Sequence, residues 1–283
     1  MRTFLTDKRL AFRDDNGAAP EKPKPPSPAT RISCVVCAYN EADKIMNILS
    51  AVQHHPVLAE VIVVNDGSTD DTGMCAWAFP GVRIISYMPN RGKTYALSQG
   101  IAAATGDYLM LLDADLAGVT PADIQALADP VLNGWAQVSI SLRRNSLAIY
   151  RFIGLDFVSG ERVIPARLVK RFAGVMARLP RWGGEAFINS LITRERLSIA
   201  VVDWRGVFNI RKSQKLGQWR GMLAEVTMVA DVFQVLSPWR VVGQNWAMLR
   251  LIIKAPPKLS IKTAVVATEE ISLPSAARDE LAG

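Results

Sequence analysis

Short apolar runs alternate with amphipathic segments through the first half of the chain. The apolar runs are rich in β-branched residues and occupy residues 32–38, 61–64, 82–86 and 108–112. Runs of this length and composition are typical of strands buried on both faces of a parallel sheet. The segments between them have helical patterns, each preceded by turn residues, at about 41–53, 69–78 and 92–104. The alternation predicts βαβ units and therefore an α/β fold, with a mostly parallel sheet flanked by helices.

Polar clusters follow each of these apolar runs. They are Tyr39-Asn40-Glu41, Asn65-Asp66-Gly67-Ser68-Thr69-Asp70, Asn90-Arg91-Gly92-Lys93 and Asp113-Ala114-Asp115. In an open parallel sheet the ligand lies at the C-terminal ends of the strands. We therefore expect the four clusters to line one pocket, which would be the active site.

The residue types in these clusters suit a nucleotide. An aromatic ring and carboxylates suit a base and a ribose, and Lys93 at the start of a helix suits phosphates, because helix N-termini already favour anions. Asp113 and Asp115, two residues apart on a strand, would point to the same face and could hold a divalent cation that keeps positions open for phosphate oxygens. Asp66 and Ser68 also have a purely structural interpretation as turn and N-cap residues.

Composition narrows the class of partner. The chain has 283 residues, of which 49% are hydrophobic, and a formal net charge of +7. This excess of positive charge favours polyanionic partners, such as nucleic acid, anionic lipid headgroups or phosphorylated small molecules. No run approaches the ~18 uncharged apolar residues of a transmembrane helix. The first nine residues lack the apolar core of a signal peptide, so we expect a cytoplasmic protein.

The cysteines and histidines do not predict a metal site. Cys34 and Cys37 have the spacing of a metal or redox pair, but they fall within a predicted strand. An offset of three on a strand places them on opposite faces, so we predict buried free thiols. His54 and His55 are predicted to be surface residues.

The four polar clusters, with the apolar residues that precede them, resemble the signature blocks of family 2 glycosyltransferases. The resemblance implies a GT-A fold, that is, a Rossmann-like sheet, and transfer of a sugar from a nucleotide-sugar donor with Mg²⁺ or Mn²⁺ on the diphosphate. It also implies that Tyr39, Glu41 and Asp66 contact the nucleoside, that Asp113 lies near the ribose and sugar, and that Asp115 is the principal metal ligand. Ser68 and Lys93 complete the predicted donor site.

The second half resembles a subgroup that includes the glucosyl-3-phosphoglycerate synthases, which makes a UDP-sugar the favoured donor. The resemblance is carried by Val158-Ser159-Gly160-Glu161-Arg162 and Trp182-Gly183-Gly184-Glu185. It implies an acceptor pocket, to which we assign Ser159, Gly160, Glu161, Gly184, Arg211 and Lys212. Many members supply a downstream histidine to the metal. Asn209 stands about where that histidine is expected, and its amide oxygen can bind a hard cation without contributing charge.

Glu185 is the candidate general base. An inverting transfer needs a carboxylate that takes the proton of the acceptor hydroxyl, an effect typically of order 10²–10⁴-fold. The alternative is that Glu185 only stabilises the start of the following helix, where an acidic residue is ordinary. Retaining members of the subgroup carry a glutamate at the matching place without using it as a base, so both stereochemical outcomes stay open.

Basic residues are dense from residue 143 onward, in a region that also contains an apolar stretch at 222–252. The charge is either a solvated face or a surface for a phosphorylated or lipid-linked acceptor. Core packing is the first interpretation of the apolar stretch. The alternative is attachment to a membrane surface, peripherally at its inner face, through Trp239, Arg240, Trp246 and Arg250.

Four segments follow from these patterns: a flexible Pro-rich leader at 1–30, a nucleotide-sugar-binding half at 31–142, an acceptor-binding half with C-terminal helices at 143–256, and a tail at 257–283.

Three functions compete with a glycosyltransferase. One is a catalytically weak sugar-nucleotide binder, and another is a sugar-phosphate nucleotidyltransferase, which normally has a Gly- and Arg-rich loop after its first strand. The third is a nucleic-acid-binding protein, but no reading helix or aromatic RNA motif is recognisable, so no nucleic acid is expected.

Overall fold

A computed structural model describes residues 27, 29–146, 148–181, 183–209 and 238–253. The strands are β1 Ile32–Ala38, β2 Leu58–Asp66, β3 Val82–Tyr87, β4 Tyr108–Asp113, β5 Leu116–Ala117, β6 Val138–Arg143, β7 Arg162–Pro165, β8 Ile199–Trp204 and β9 Phe208–Asn209. The helices are α1 Ala42–Val52, α2 Thr72–Trp77, α3 Lys93–Ala103, α4 Pro121–Leu132, α5 Ala148–Ile153, α6 Ala166–Val169, α7 Ala173–Met176, α8 Gly184–Arg194 and α9 Pro238–Leu251, with a 3₁₀ turn at Lys170–Phe172.

The main sheet has seven strands in the order β3-β2-β1-β4-β7-β6-β8. Strand β7 runs antiparallel to both of its neighbours, and the other described pairings in this sheet are parallel. The prediction of a mostly parallel α/β sheet is therefore confirmed. Because β1, β2, β3 and β4 are parallel, their C-terminal ends share one edge. A separate antiparallel ribbon joins β5 to β9 and brings Asn209 opposite Leu116, just beyond the end of β4.

The sheet is buried on both faces. Helices α3, α8 and α9 cover one face, and α1 and α4 cover the other. Strand β1 divides its side chains between the two layers: Val35 packs with α3, whereas Cys34 packs with α1. Cys37 is on the face opposite to Cys34 and both are free thiols, as predicted. Cys34 is buried, whereas Cys37 is only partly buried.

The four predicted strands and three predicted helices are present, with shifts of a few residues at their ends. Strand β6 was not predicted, because Ser139 and Ser141 interrupt its apolar pattern. Both serines are fully buried, and the hydroxyl of Ser139 donates to the backbone oxygen of Leu127. Strands β7 and β8 were also missed. They join the sheet of the first half, so the proposed boundary at residue 142 separates two roles within one sheet.

One surface assignment was wrong. His54 is exposed, but His55 is buried, and its Nε2 lies 3.0 Å from the backbone oxygen of Pro121. Its Nδ1 accepts a hydrogen bond from the N–H of Val57. His55 therefore joins the end of α1 to the start of α4.

The leader before residue 27 and the tail after residue 253 lie outside the described residues. In the described part of the chain, no helix is long and apolar enough to cross a membrane.

Candidate active site

A cleft of about 790 Å³, measured with the open space at its mouth, lies at the C-terminal edge of β1, β2 and β4. Its lining includes seven residues predicted from the sequence: Tyr39, Glu41, Asp66, Lys93, Asp113, Asp115 and Asn209. They come from the ends of β2 and β4, the start of α3, the turns that follow β1 and β4, and strand β9. Parallel strand ends bring them together, as expected for an open α/β sheet.

Asp66 shapes the wall of the cleft. Its carboxylate accepts hydrogen bonds from the backbone N–H groups of Arg91 and Gly92, each at 2.8 Å, and from the side chain of Asn90 at 2.8 Å. The next residue, Gly67, has φ +67°, and a Cβ there would lie 2.4 Å from the backbone nitrogen of Asn90. Asp66 is only 3% exposed. The main role of Asp66 is therefore to hold the loop that leads into α3.

Two other residues assigned to the donor site have local partners. Glu41 is buried and forms an ion pair with Lys44 in the first turn of α1. Ser68 does not line the cleft, and its hydroxyl accepts a hydrogen bond from the backbone N–H of Asn40 at 3.0 Å. For Ser68 the geometry fits the structural interpretation rather than ligand contact.

Lys93 joins the two halves of the site. Its Nζ lies 2.8 Å from Oδ1 of Asp113 and 2.7 Å from Oε1 of Glu185. Burial alone would lower the pKa of Lys93, but the two carboxylates raise it. Burial alone would raise the pKa of Asp113, and Lys93 outweighs that effect and lowers it. Lys93 and Asp113 are therefore both charged at neutral pH. Lys93 also ties Glu185 to the end of β4.

Asp115 differs from Asp113 in both position and environment. Strand β4 ends at Asp113, so Asp115 lies in the following turn rather than on the strand, contrary to the expected strand spacing. Within the described residues its carboxylate has no hydrogen bond and no ion pair. Burial, followed by the charges of Asp113 and Glu41, raises the pKa of Asp115 to about 6. A half-buried carboxylate without a partner in a negative environment is a site that a cation would stabilise.

The residues around Asp115 fit a divalent cation that is shared with a ligand. In the described ranges, no group of three or more His, Cys, Asp or Glu side chains could by itself hold a metal ion. Mg²⁺ commonly takes one or two carboxylates and completes its shell with water and substrate phosphates. Asn209 is close enough to line the same cleft, but its Oδ1 already accepts a hydrogen bond from Arg143 at 2.5 Å. Asp115 is thus the better ligand of the two.

The predicted acceptor block forms a buried turn. Ser159 and Glu161 are fully buried, and the hydroxyl of Ser159 donates to Glu161. Glu161 also pairs with Arg143 at 2.9 Å. These two side chains therefore support the turn from behind and do not face the cleft. Gly160 lies against the carboxylate of Asp113: a Cβ at this position would be 2.7 Å from Oδ1.

Gly184 and Glu185 begin helix α8. The N–H of Gly184 donates to the hydroxyl of Thr94 at 3.0 Å, which packs the start of α8 against the start of α3. Gly184 is buried there and does not line the cleft. Glu185 is 8% exposed and reaches the Asp113 side through Lys93. Arg211 and Lys212 lie outside the described residues.

The sequence analysis counted three arginines at or behind the site only as members of a basic run, and gave none of them a role of its own in the site. Arg143 follows the apolar part of β6, so the rule that strand ends carry function could have identified it. Arg181 lines the cleft and donates to Oδ1 of Asn90 at 2.7 Å. Arg162 lies within a strand and is fully buried, which nothing in the local sequence indicates.

Three curated relatives match between 30% and 56% of the chain. The succinoglycan biosynthesis protein ExoO of Rhizobium meliloti is 33% identical over 163 residues, which are 56% of this chain and 42% of the relative. The dolichyl-phosphate beta-glucosyltransferase of Mus musculus is 35% identical over 116 residues, or 36% of each protein. The poly-beta-1,6-N-acetyl-D-glucosamine synthase of Staphylococcus epidermidis is 37% identical over 89 residues, 30% of this chain and 21% of the relative. The chain therefore spans less than half the length of these relatives.

Among solved structures, the glucosyl-3-phosphoglycerate synthase of Mycobacterium tuberculosis is similar over a larger part of the chain. Its complex with Mn²⁺, UDP and glucosyl-3-phosphoglycerate superposes with a TM-score of 0.56 and 26% identity, covering 73% of this chain and 80% of that one. Its complex with Mn²⁺, UDP-glucose and phosphoglyceric acid gives 0.55 and 28%.

The strand order and the structural similarity together define a GT-A type α/β domain with a cleft at the C-terminal edge of its parallel strands. Residues 33–158 match the model of Glycosyl transferase family 2. The match includes the four sequence blocks, so their resemblance to that family is confirmed.

Proposed function

We propose that the protein is a glycosyltransferase that moves a sugar from a nucleotide diphosphate sugar, a UDP-sugar in the first instance, to an acceptor hydroxyl. The observation that carries the proposal is the cleft at the sheet edge. It combines the partnerless Asp115 with an Asp113 that is linked through Lys93 to Glu185. The family 2 domain and the UDP-glucose complexes of the structural relative support the donor class.

Asp115 would hold Mg²⁺ or Mn²⁺, with Asn209 as a second contact once its oxygen is shared or released by Arg143. The cation would neutralise the charge that develops on the leaving diphosphate. Tyr39 and Glu41 lie on the side of the cleft assigned to the nucleoside. Asp66 would act mainly by fixing the loop at residues 90–92 that bounds this pocket.

Glu185 would be the group that orients the acceptor hydroxyl and takes its proton. Its ion pair with Lys93 directs the carboxylate toward Asp113. A base must be within hydrogen-bond reach of the proton that it removes. The pairing supports this role because Asp113 borders the predicted sugar position. A retaining outcome would use Glu185 only for acceptor contact.

The acceptor would bind on the side of Gly160 and Arg181. Gly160 brings the backbone of the acceptor turn against Asp113, and the exposed Arg181 supplies positive charge at the rim of the cleft. A phosphorylated or lipid-linked acceptor would suit this charge. The phosphoglyceric acid complex of the structural relative supports the first class, and the dolichyl-phosphate relative supports the second.

The proposed function extends to peripheral attachment at the cytoplasmic face of a membrane through helix α9. Trp239, Val242 and Trp246 are 86%, 62% and 60% exposed, and the opposite side of the helix packs on α8. Arg250 lies over the Trp246 ring at 5.6 Å. Aromatic and basic side chains on one face suit an anionic lipid interface.

Sedimentation with liposomes containing phosphatidylserine tests this attachment. We expect pelleting at low salt that weakens at moderate salt, and loss of pelleting in Trp239→Ala with Trp246→Ala. Trp77→Ala is the matched control, because Trp77 is 81% exposed on α2. Absence of pelleting at both salt concentrations would rule attachment out.

The glycosyltransferase proposal is tested by thermal shift with UDP-glucose, UDP-N-acetylglucosamine and GDP-mannose, with and without Mn²⁺. A ligand that binds the native state raises the melting temperature. We expect the largest rise with a UDP-sugar and Mn²⁺, and UDP release that is lost in Asp115→Ala but kept in Asp203→Ala, which removes an exposed carboxylate. No shift with any donor would refute the proposal.

A catalytically weak sugar-nucleotide binder is the second candidate. It is favoured by one observation: Arg143 occupies the oxygen of Asn209, which weakens the metal site. Donor binding with no release of UDP, with either Mn²⁺ or Mg²⁺, would establish it.

A further inference from the structure

Arg162 is a buried cation behind the site that no part of the proposed chemistry uses. It is fully buried in β7, at the centre of the sheet, where its backbone is opposite Leu111 of β4 and Ile140 of β6. Within the described residues Arg162 forms no ion pair, and its Nε has no hydrogen-bond partner. A buried guanidinium without a bound carboxylate is costly and calls for a reason.

The two terminal nitrogens of Arg162 form hydrogen bonds to two different parts of the fold. One donates to Oδ1 of Asn189 on α8 at 2.8 Å, and the other donates to the backbone oxygen of Ser159 in the acceptor turn. Asn189 in turn donates to the backbone oxygen of Phe157 at 2.8 Å. The acceptor turn is therefore fixed to α8 at two points, both through the pair Arg162 and Asn189.

These contacts lie next to the two groups that would do the chemistry. Asn189 is four residues after Glu185 on α8, so both side chains are on the same face of the helix, one turn apart. Gly160, which follows Ser159, abuts the carboxylate of Asp113. Arg162 itself lines a small cavity with Lys93, Asp113 and Glu185.

We propose that Arg162 is a positioning residue, which clamps the acceptor turn to helix α8 and so sets the distance between Gly160, beside Asp113, and the proposed base Glu185. This inference rests on the proposed function. Its charge also offsets the carboxylates that surround it, namely those of Glu185, Glu161, Asp156 and Asp113. A merely structural arginine would affect stability without a separate effect on turnover.

The test compares Arg162→Lys and Asn189→Leu, which break the same contact from opposite sides, with Arg194→Lys as control. Arg194 is exposed at the end of α8. UDP release is measured with the UDP-sugar selected by thermal shift, with 3-phosphoglycerate present, and UDP affinity is measured by calorimetry. We expect kcat to fall about 10²-fold, the cost of an ångström-scale misplacement, while the Kd of UDP stays within about threefold of the wild type.

The losses of kcat in the double variant should be less than additive, because both changes remove the hydrogen bond between Arg162 and Asn189. Unchanged kcat in folded single variants would overturn the inference. Equal losses of kcat and UDP affinity in both variants would also overturn it, since they would indicate general damage. If Arg162→Lys fails to fold, Asn189→Leu decides.

Hydrogen exchange tests the clamp without relying on activity. Both variants should accelerate amide exchange in residues 156–160 and in the first turns of α8, and leave α4 unchanged. Unchanged exchange in these segments would refute the clamp. If wild-type protein releases no UDP from any donor, the proposed function fails, whereas exchange still reports on the clamp. If wild type and variants are equally active, the inference alone fails.

Discussion

Apart from Glu41, which pairs with Lys44 in the first turn of α1, the two halves of the site satisfy their buried carboxylates by different means. In the first half, Asp66 is held by the backbone N–H groups of the loop at residues 90–92. In the second half, Glu161 is held by the guanidinium of Arg143, which also reaches Asp156. Backbone donors cost no extra charge burial, whereas a guanidinium introduces a second ion that must also be desolvated. The first half is thus a loop-fixing arrangement, and the second is a charge network.

Asp115 belongs to neither arrangement. It lies where the two halves meet, with no donor and no cation among the described residues. Lys93 crosses the same boundary and binds one carboxylate from each half. The comparison indicates that the protein satisfies its structural carboxylates and leaves one incomplete, at the position where a metal-bound diphosphate would complete it.

Replacing Glu185, the carboxylate of the second half that pairs with Lys93, should have the largest effect on turnover. In Glu185→Gln, we expect kcat to fall by about 10²–10⁴-fold, the usual worth of a general base. Donor binding should be almost unchanged, because the proposed donor position is on the other side of Asp113. Steady-state UDP release and calorimetric UDP titration would measure the two effects.

Glu195→Gln is the control for Glu185→Gln, since Glu195 ends the same helix in an exposed pair with Arg171. If Glu185→Gln retains full turnover, Glu185 only stabilises the start of α8.

Removing Arg143, the cation that pairs with Glu161 and Asp156, should have the largest effect on stability. Arg143→Met leaves Glu161 fully buried without its ion pair and removes the guanidinium beside Asp156. We expect a loss of about 3–5 kcal/mol, as found when one partner of a buried ion pair is removed. Urea denaturation would measure it. Arg205→Met, at an exposed pair, should leave stability almost unchanged.

Stability should fall less when Asp66, which fixes the loop at residues 90–92, is replaced. Asp66→Asn replaces one carboxylate oxygen with an NH₂ group that cannot accept from the N–H donors around it. We expect a loss of about 1–3 kcal/mol, the cost of buried donors left unsatisfied. Asp71→Asn serves as the neighbouring control, because Asp71 is exposed and caps no helix with its side chain. If Asp66→Asn costs as much as Arg143→Met, the contrast between the two halves is wrong.

The smallest predicted effect is a gain in stability from Asp115→Asn. The folded protein raises the pKa of Asp115 to about 6, so its contribution to stability is present below the unfolded pKa and is lost as the pH rises through 6. At pH 8, Asp115→Asn should therefore stabilise the metal-free protein by on the order of 2 kcal/mol.

Near pH 4 the same substitution should make little difference, because the carboxyl group is then mostly protonated in both states. Melting curves at the two pH values would show it. Mn²⁺ with UDP should stabilise wild type at pH 8 and not Asp115→Asn. A variant that is less stable than wild type at pH 8 would show that Asp115 has a structural partner.

Much of the first half could be predicted from local pattern. The strands β1 to β4 are short and apolar, and each is followed by polar residues that the sheet then brings to one edge. Ser68 was assigned to the donor site because a hydroxyl in such a loop has the same composition whether it contacts a ligand or a neighbouring loop. Only the fold places it on Asn40. His55 was misassigned for a similar reason, since its partner in α4 is distant in sequence.

The sequence by itself determined which residues stand at the ends of parallel strands, because the alternation of apolar runs and turns is a local property that repeats along the chain. It therefore determined the fold class and most of the donor-site residues that line the cleft, although Ser68 lies outside the cleft and Arg181 was missed. The tertiary structure decided which of the charges meet. Lys93 with Glu185, Arg143 with Glu161 and Arg162 with Asn189 are joined across strands and helices that are far apart in the chain. Ion pairs and hydrogen bonds depend on distances of a few ångströms, and no local pattern encodes those distances.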